Sequence, residues 1–204
     1  MGIHGGGVVQ YDLRKNLGQG IYECKGFSRL PPTLPLTALV NLQSRHQVHG
    51  NQILDILSDT LKLLPRLTKL GFVHPGLHND TLYCSNTEGH QGQSGGCAQC
   101  QNGTIPRERR EDQRPEVHYG VIVSGNELMK NVVERDRLGR EFGAECIEME
   151  AAGWIDFPCI VIRGICDYAD SHKNGIWQEY AAITAAAFAK ELLSITKVGG
   201  SMET

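Results

Sequence analysis

The sequence has no long hydrophobic run. No apolar stretch approaches the roughly 18 residues that a membrane-spanning helix needs, so no membrane is expected among its partners. The opening MGIHGGGVVQYD lacks the apolar core of a secretory signal. There is no excess of positive charge either. Lys and Arg total 20 against 23 Asp and Glu, a net charge of −3, which argues against nucleic acid as a partner. Gly2 does not open a myristoylation motif, because Gly6 stands where Ser or Thr is needed. No Lys-Ser/Thr pair follows Gly5-Gly6-Gly7, which excludes a phosphate-binding P-loop and leaves a flexible terminus as the expectation. No internal repeat is found.

What is there describes one soluble globular domain. The 204 residues are 40% hydrophobic and 21% charged, enough to bury a substantial core. The seven cysteines are an odd number and lack a signal peptide, which points to free thiols in a reducing, cytoplasmic setting. Cys146, Cys159 and Cys166 lie in apolar runs and read as small buried hydrophobes.

The pattern along the chain is α/β. Gly7-Val-Val-Gln-Tyr-Asp reads as a short strand, followed by a polar stretch to about Arg29. Leu36, Leu39, Val40 and Leu42 share a helical face, and the spacing continues from Ile53 to Leu64. Two helices are expected, with Thr33 as a cap and a break near Gly50. Residues 74–115 hold few apolar side chains and a charged run from Arg107 to Asp112, so they read as a long insertion loop that is functional or disordered. Order returns with a strand from Val117 to Gly125 and a helix over 126–141. A strand over 144–148 and a helix over 149–155 follow. A buried strand over 158–165 and an Ala-rich helix over about 175–196 complete the pattern. Residues 197–204 form a tail. Strands alternating with helices imply a mainly parallel sheet flanked by helices.

Ligands in such sheets sit outside the carboxyl ends of the strands. Three of these ends are polar: Ser124-Gly125-Asn126, Glu148-Met149-Glu150, and Arg163 through Asp167 to Asp170. Carboxylates beside an arginine suit acid/base chemistry. The same acids would also serve as helix caps, and Arg163 could simply pair with Asp170 or Glu148.

These segments carry a resemblance. Glu148-Met149-Glu150-Ala151-Ala152-Gly153 resembles the ribose-binding signature of the nucleoside phosphorylase superfamily, which includes purine nucleoside phosphorylases and methylthioadenosine/S-adenosylhomocysteine nucleosidases. Val161-Ile-Arg-Gly-Ile-Cys-Asp-Tyr-Ala-Asp170 is similar to the segment carrying that family's base-protonating aspartate, and Ile122-Val-Ser-Gly-Asn126 to its Ser-Gly turn. The run from Arg163 to Asn174, with Gly7-Val-Val-Gln-Tyr-Asp and Cys97-Ala-Gln-Cys, is closer still to phosphorylase-like domains of fungal NLR-type proteins. The resemblance covers most of residues 5–196.

It implies a three-layer phosphorylase-like domain that cleaves the N-glycosidic bond of a purine nucleoside or nucleotide, in nucleoside metabolism or as an immune-type effector. Asp167 would be the general acid. Glu150 would clamp the ribose hydroxyls and Met149 would pack on the sugar. Glu148 and Arg163 would hold the nucleophile, with Ser124 and Leu128 among the substrate contacts. No cofactor is implied; inorganic phosphate is the one co-substrate in question. Self-association into a homo-oligomer is expected. Two departures from the family are visible. The chain is expected to lack the first strands of the domain and their anion-binding turn, and Leu128 stands where nucleosidases place an aromatic. The rival reading is an inactive module that binds nucleoside or protein. A third, a zinc-stapled module at Cys84, Cys97 and Cys100, rests on a single CxxC with His90 nearby.

Overall fold

The computed structural model describes residues 7–19, 21–26, 28–83, 103–107, 114–154 and 156–196. The zinc candidates Cys84, His90, Cys97 and Cys100, the arginines after Arg107 in the charged run, and the tail lie outside these residues. A mixed sheet of four strands, β1 (Gly7–Gln10), β4 (Ser28–Arg29), β5 (Val121–Ser124) and β6 (Ala144–Glu148), runs in the order β4-β1-β5-β6. β1, β5 and β6 are parallel, and β4 pairs antiparallel with β1 at the edge. The fold is the α/β arrangement expected from the sequence.

Strand side chains alternate between faces, so each parallel strand divides its residues between two layers. Val9, Val123 and Ile147 are neighbours in register and pack toward Leu138 of α4 (Val132–Phe142). Val8, Ile122 and Cys146, one residue earlier, face the opposite layer. That layer contains α1 (Thr33–His49), α2 (Ile53–Leu63) and α5 (Gln178–Ile195), whose core is Ala38, Leu42, Ile53, Leu57, Ile183, Ala187, Phe188 and Leu192. The sheet thus sits between two helical layers. A short helix, α3 (Pro65–Lys69), follows α2, its Pro65 in the first turn, where a missing N–H costs nothing.

The helix termini are set by local chemistry. Asn131 caps α4, its side-chain oxygen accepting the Val133 and Glu134 N–H groups at 3.0 and 3.2 Å. Gly143 ends α4 in the left-handed conformation at φ 61°. This cap places the helix start at Val132, so the helix expected from residue 126 loses its first six positions to the turn after β5. Thr33 is not a cap: it lies in the first turn of α1, Pro32 holds the cap position, and the Thr33 carbonyl accepts the Thr37 hydroxyl.

Other expectations are corrected too. The polar stretch after β1 contains an antiparallel hairpin, β2 (Arg14–Gly18) with β3 (Ile21–Cys24). Of the helix expected over 149–155, the described residues show only a 3₁₀ turn, Ala151–Trp154. Residues 158–165 are not in a strand: Ile160 and Ile162 pack against the α1–α2–α5 core without joining the sheet. An apolar run reports burial and leaves the hydrogen-bonding partner open. Part of the expected loop is ordered as well. Tyr83 and Thr104 form an antiparallel bridge, and Leu77–Asn79 is a 3₁₀ turn.

Candidate active site

Gln10, Ser124 and Glu148 lie opposite one another at the carboxyl ends of the three parallel strands. Beyond them the chain turns sharply. Gly125 follows Ser124 because a Cβ there would lie 2.7 Å from the Tyr11 ring and 3.1 Å from the Asp12 carboxyl carbon. Asp12 closes this turn by accepting the Asn126 N–H at 2.8 Å and the Gln10 and Asn126 side-chain amides. Burial opposes the charge on Asp12, but these hydrogen bonds outweigh it and hold its carboxyl below the usual range. Asp12 carries no signal in the sequence, because its partner Asn126 lies 114 residues away, in the turn after β5.

Glu148 is the most deeply placed acid of the group, with a side chain 2% exposed. Its two oxygens accept the Glu150 and Ala151 N–H groups at 3.0–3.1 Å. The buried Ser124 hydroxyl accepts the next amide, Ala152 N–H, at 2.9 Å. Both side chains therefore tie the Ala151–Trp154 turn to the strand ends. Arg163 bridges the two glutamates, with one nitrogen 2.8 Å from Glu150 and another 3.8 Å from Glu148. Its pairing is with the glutamates and not with Asp170. Met149 sits between the two acids in the chain and is half-exposed.

Asp167 lies a turn further on, on the wall of a cleft of about 910 Å³ that separates the sheet from α1 and α5. Arg163, Cys146 and Tyr168 share this wall. One Asp167 oxygen accepts the Ala169 N–H at 2.8 Å, and the other faces the Lys173 ammonium at 3.0 Å and the Cys166 thiol at 3.3 Å. Lys173 stood unassigned within the run that carried the family resemblance; its spacing of six from Asp167 is no regular contact distance, so only the fold joins them. Burial pushes the Cys146 thiol up to about 11, the nearby Arg163 opposing, so this cleft-lining cysteine stays a neutral thiol. Asp170 is buried beside Asp167, one oxygen accepting the His172 N–H at 2.8 Å and the other without a partner among the described residues.

Leu128 does not join these groups. It is half-exposed beside Arg14, Met129, Lys130 and Glu134, on the α4 side of the sheet. The structure thus brings Ser124, Glu148, Glu150 and Arg163 into one hydrogen-bonded unit, sets Asp167 on the cleft that Arg163 also lines, and leaves Leu128 apart. Among the described residues no three His, Cys, Asp or Glu side chains gather as a metal site, and no helix is long and apolar enough to cross a membrane.

No family model and no solved structure matches the chain. It is 40% identical over 191 residues to a nucleotide-binding leucine-rich repeat (NLR)-like protein of Hyaloscypha variabilis, covering 93% of this chain and 18% of that protein. It is 28% identical over 92 residues to a 5′-methylthioadenosine/S-adenosylhomocysteine nucleosidase of Mycobacterium bovis, covering 42% of this chain and 36% of the enzyme. With an aminodeoxyfutalosine nucleosidase of Helicobacter pylori it shares 31% identity over 98 residues, 44% of this chain and 42% of the enzyme. The chain therefore spans less than half the length of each of these relatives. The chain is thus similar to one stretch of the fungal NLR-like protein over nearly all of its length and to the nucleosidases over about two-fifths of it, which supports the resemblance to the nucleoside phosphorylase superfamily.

Proposed function

We propose that this chain carries the chemistry for cleaving the N-glycosidic bond of a purine nucleoside or nucleotide. The observation that carries the reading is Asp167: a carboxylate on a cleft wall, one oxygen fixed by a backbone N–H and the other facing an ammonium. As the bond from the sugar C1′ to the base N9 breaks, its electron pair goes to the purine. A proton delivered to N7 neutralises the leaving base, and one general acid contributes about 10²–10⁴-fold in rate. The Asp167 carboxylate takes a proton from the Lys173 ammonium at its second oxygen and passes it to N7; when water attacks, the proton that it loses returns to the lysine by way of solvent. The sugar carbon gains positive charge and takes an oxygen from water or phosphate. Glu150, held by Arg163, is the acceptor for the ribose hydroxyls, and Glu148 with Arg163 orients the attacking oxygen. The named activities of the nucleosidase relatives support the reaction class; the NLR-like relative supports an effector setting for it.

A second reading has its own observation. Both Glu148 oxygens and the Ser124 hydroxyl are already taken by backbone N–H groups, which suits a module that binds a nucleoside without cleaving it. Chromatographic detection of free purine from adenosine, inosine, methylthioadenosine and ATP decides between them. Release that falls at least about 100-fold in Asp167→Asn establishes the enzyme. Its dependence on phosphate separates phosphorolysis from hydrolysis. No release from folded protein leaves the binding module.

A further inference from the structure

The segments on either side of the 84–102 stretch meet the loop that carries Asp167. Ile105 donates its N–H to the Leu82 carbonyl at 2.9 Å, and Tyr83 pairs with Thr104, so the two segments form one strap. The strap touches the 166–177 loop along its length. Tyr83 stacks on His172 with ring centroids 3.7 Å apart, and the Asn79 carbonyl accepts the Trp177 indole N–H at 3.0 Å. At the centre is Tyr168, the residue after Asp167. Its phenol donates to Asp80 Oδ1 at 2.7 Å and accepts from the Arg107 guanidinium, which also lies 2.7 Å from that Asp80 oxygen and over the Tyr168 ring. The Tyr168 carbonyl is held separately by Arg135 of α4 at 2.8 Å.

This anchoring has a local reason. Ala169 sits at φ 51°, a left-handed conformation that is unfavourable for a non-glycine residue and persists only where surroundings impose it. The Ala169 N–H in that strained turn is the group that fixes Asp167 Oδ1. Burial first, then the bond to Asp80, push the Tyr168 phenol up to about 12, so it remains a donor across the working range.

We propose that the Asp80–Arg107–Tyr168 clasp is a positioning device: it holds the strained Tyr168–Ala169 turn and thereby aims the Asp167 carboxylate into the cleft. The catalytic role of Asp167 rests on the function proposed above; the clasp on the loop does not. Arg107 and Tyr168 are positioning residues that need not touch the substrate. Misplacing a reacting group by about 1 Å costs up to about 100-fold in rate, so loosening this turn acts on kcat.

The test uses Arg107→Ala and Tyr168→Phe, the second keeping the ring and losing only the hydroxyl. In each, kcat for base release is expected to fall about tenfold or more with KM within about twofold. Arg107→Lys, which keeps a cation opposite Asp80, recovers part of the loss. Hydrogen exchange is read in parallel: amides of 167–173 should exchange at least about tenfold faster in both variants, with those of α2 unchanged. Wild-type exchange rates in the 167–173 amides overturn the clasp, as does faster exchange spread evenly over the molecule. Fast local exchange with unaltered kcat overturns the aiming role. If the wild-type protein releases no base, the proposed activity fails, and the exchange measurement alone decides whether the clasp holds the turn.

Discussion

At the scale of single residues, the site mixes groups that bind with groups that build. Ser124 is the clearest builder, its hydroxyl accepting the Ala152 N–H, while Glu148 holds the 150–151 backbone and also faces Arg163. Asp167 differs: its second oxygen faces a side chain that can move. Lys173 is about one-third exposed, and a purine N7 approaching Asp167 Oδ2 must share the space that the ammonium holds. If Lys173 restores the proton, Lys173→Met lowers kcat by about tenfold or more, while Lys173→Arg, whose guanidinium does not give up a proton, keeps the charge without restoring the rate. Steady-state kinetics on the two variants checks this; full activity in Lys173→Arg would assign the lysine to charge alone. Asp167, Arg163, Glu148 and Glu150 were legible in the sequence, since each stands in a short string with a chemical signature. Asp80, Arg107 and Lys173 were not. Their partners lie 88, 61 and 6 residues away respectively, and no local pattern records such pairs.

At the scale of elements, hydrophobic periodicity found the helices well and the strand pairings less well. α1, α2 and α5 appear where the apolar spacing put them, although in α1 the expected face divides: Leu42 is buried in the core while Val40 is exposed on the cleft side. The β2–β3 hairpin was missed because its first strand, Arg14-Lys-Asn-Leu-Gly18, shows no alternation and is largely exposed. The stretch 158–165 shows the opposite failure, being buried like a strand while lying against α5. Gly164 shows how close that approach is: a Cβ there would fall 2.0 Å from the Ala181 carbonyl oxygen of α5. Backbone on both sides cannot yield as a flexible side chain would. Gly164→Ala is therefore expected to cost at least about 2 kcal/mol. It should also pull Arg163 off Glu150, since the two residues are adjacent in the chain. Urea denaturation measures the first effect, and an unchanged midpoint would mean that α5 can move away from the segment at no cost.

At the scale of the whole molecule, two apolar clusters lie on opposite faces of one sheet, and the cleft opens on the side of α1 and α5. The α1–α2–α5 layer is held by a buried polar network. The Tyr119 phenol, pushed up to about 12 by burial and by the charge of Glu191, lies 3.0 Å from His46 Nδ1. His46 Nε2 lies 3.0 Å from Glu191, which also accepts the Gln52 N–H at 3.2 Å. A carboxylate only accepts, so Glu191 takes the Nε2 proton of His46, and in the neutral imidazole Nδ1 is then the acceptor for Tyr119; the second Glu191 oxygen has no partner among the described residues. The helical side of the cleft is thus tied together by this network, and on the sheet side Val8, Ile122 and Cys146 stand in register, so the cleft is preformed. A preformed cleft binds without first being assembled, so a ligand that fits it adds its binding energy to stability. A purine C-nucleoside, whose carbon–carbon bond to the sugar resists cleavage, serves as the probe. At about 100 times its Kd it should stabilise the fold by about 2.7 kcal/mol, read as a rise in Tm. Cys146→Phe fills the sheet side of the cleft, and should abolish the rise. An equal rise in that variant would place the ligand elsewhere on the protein, and would move the proposed nucleoside site out of this cleft.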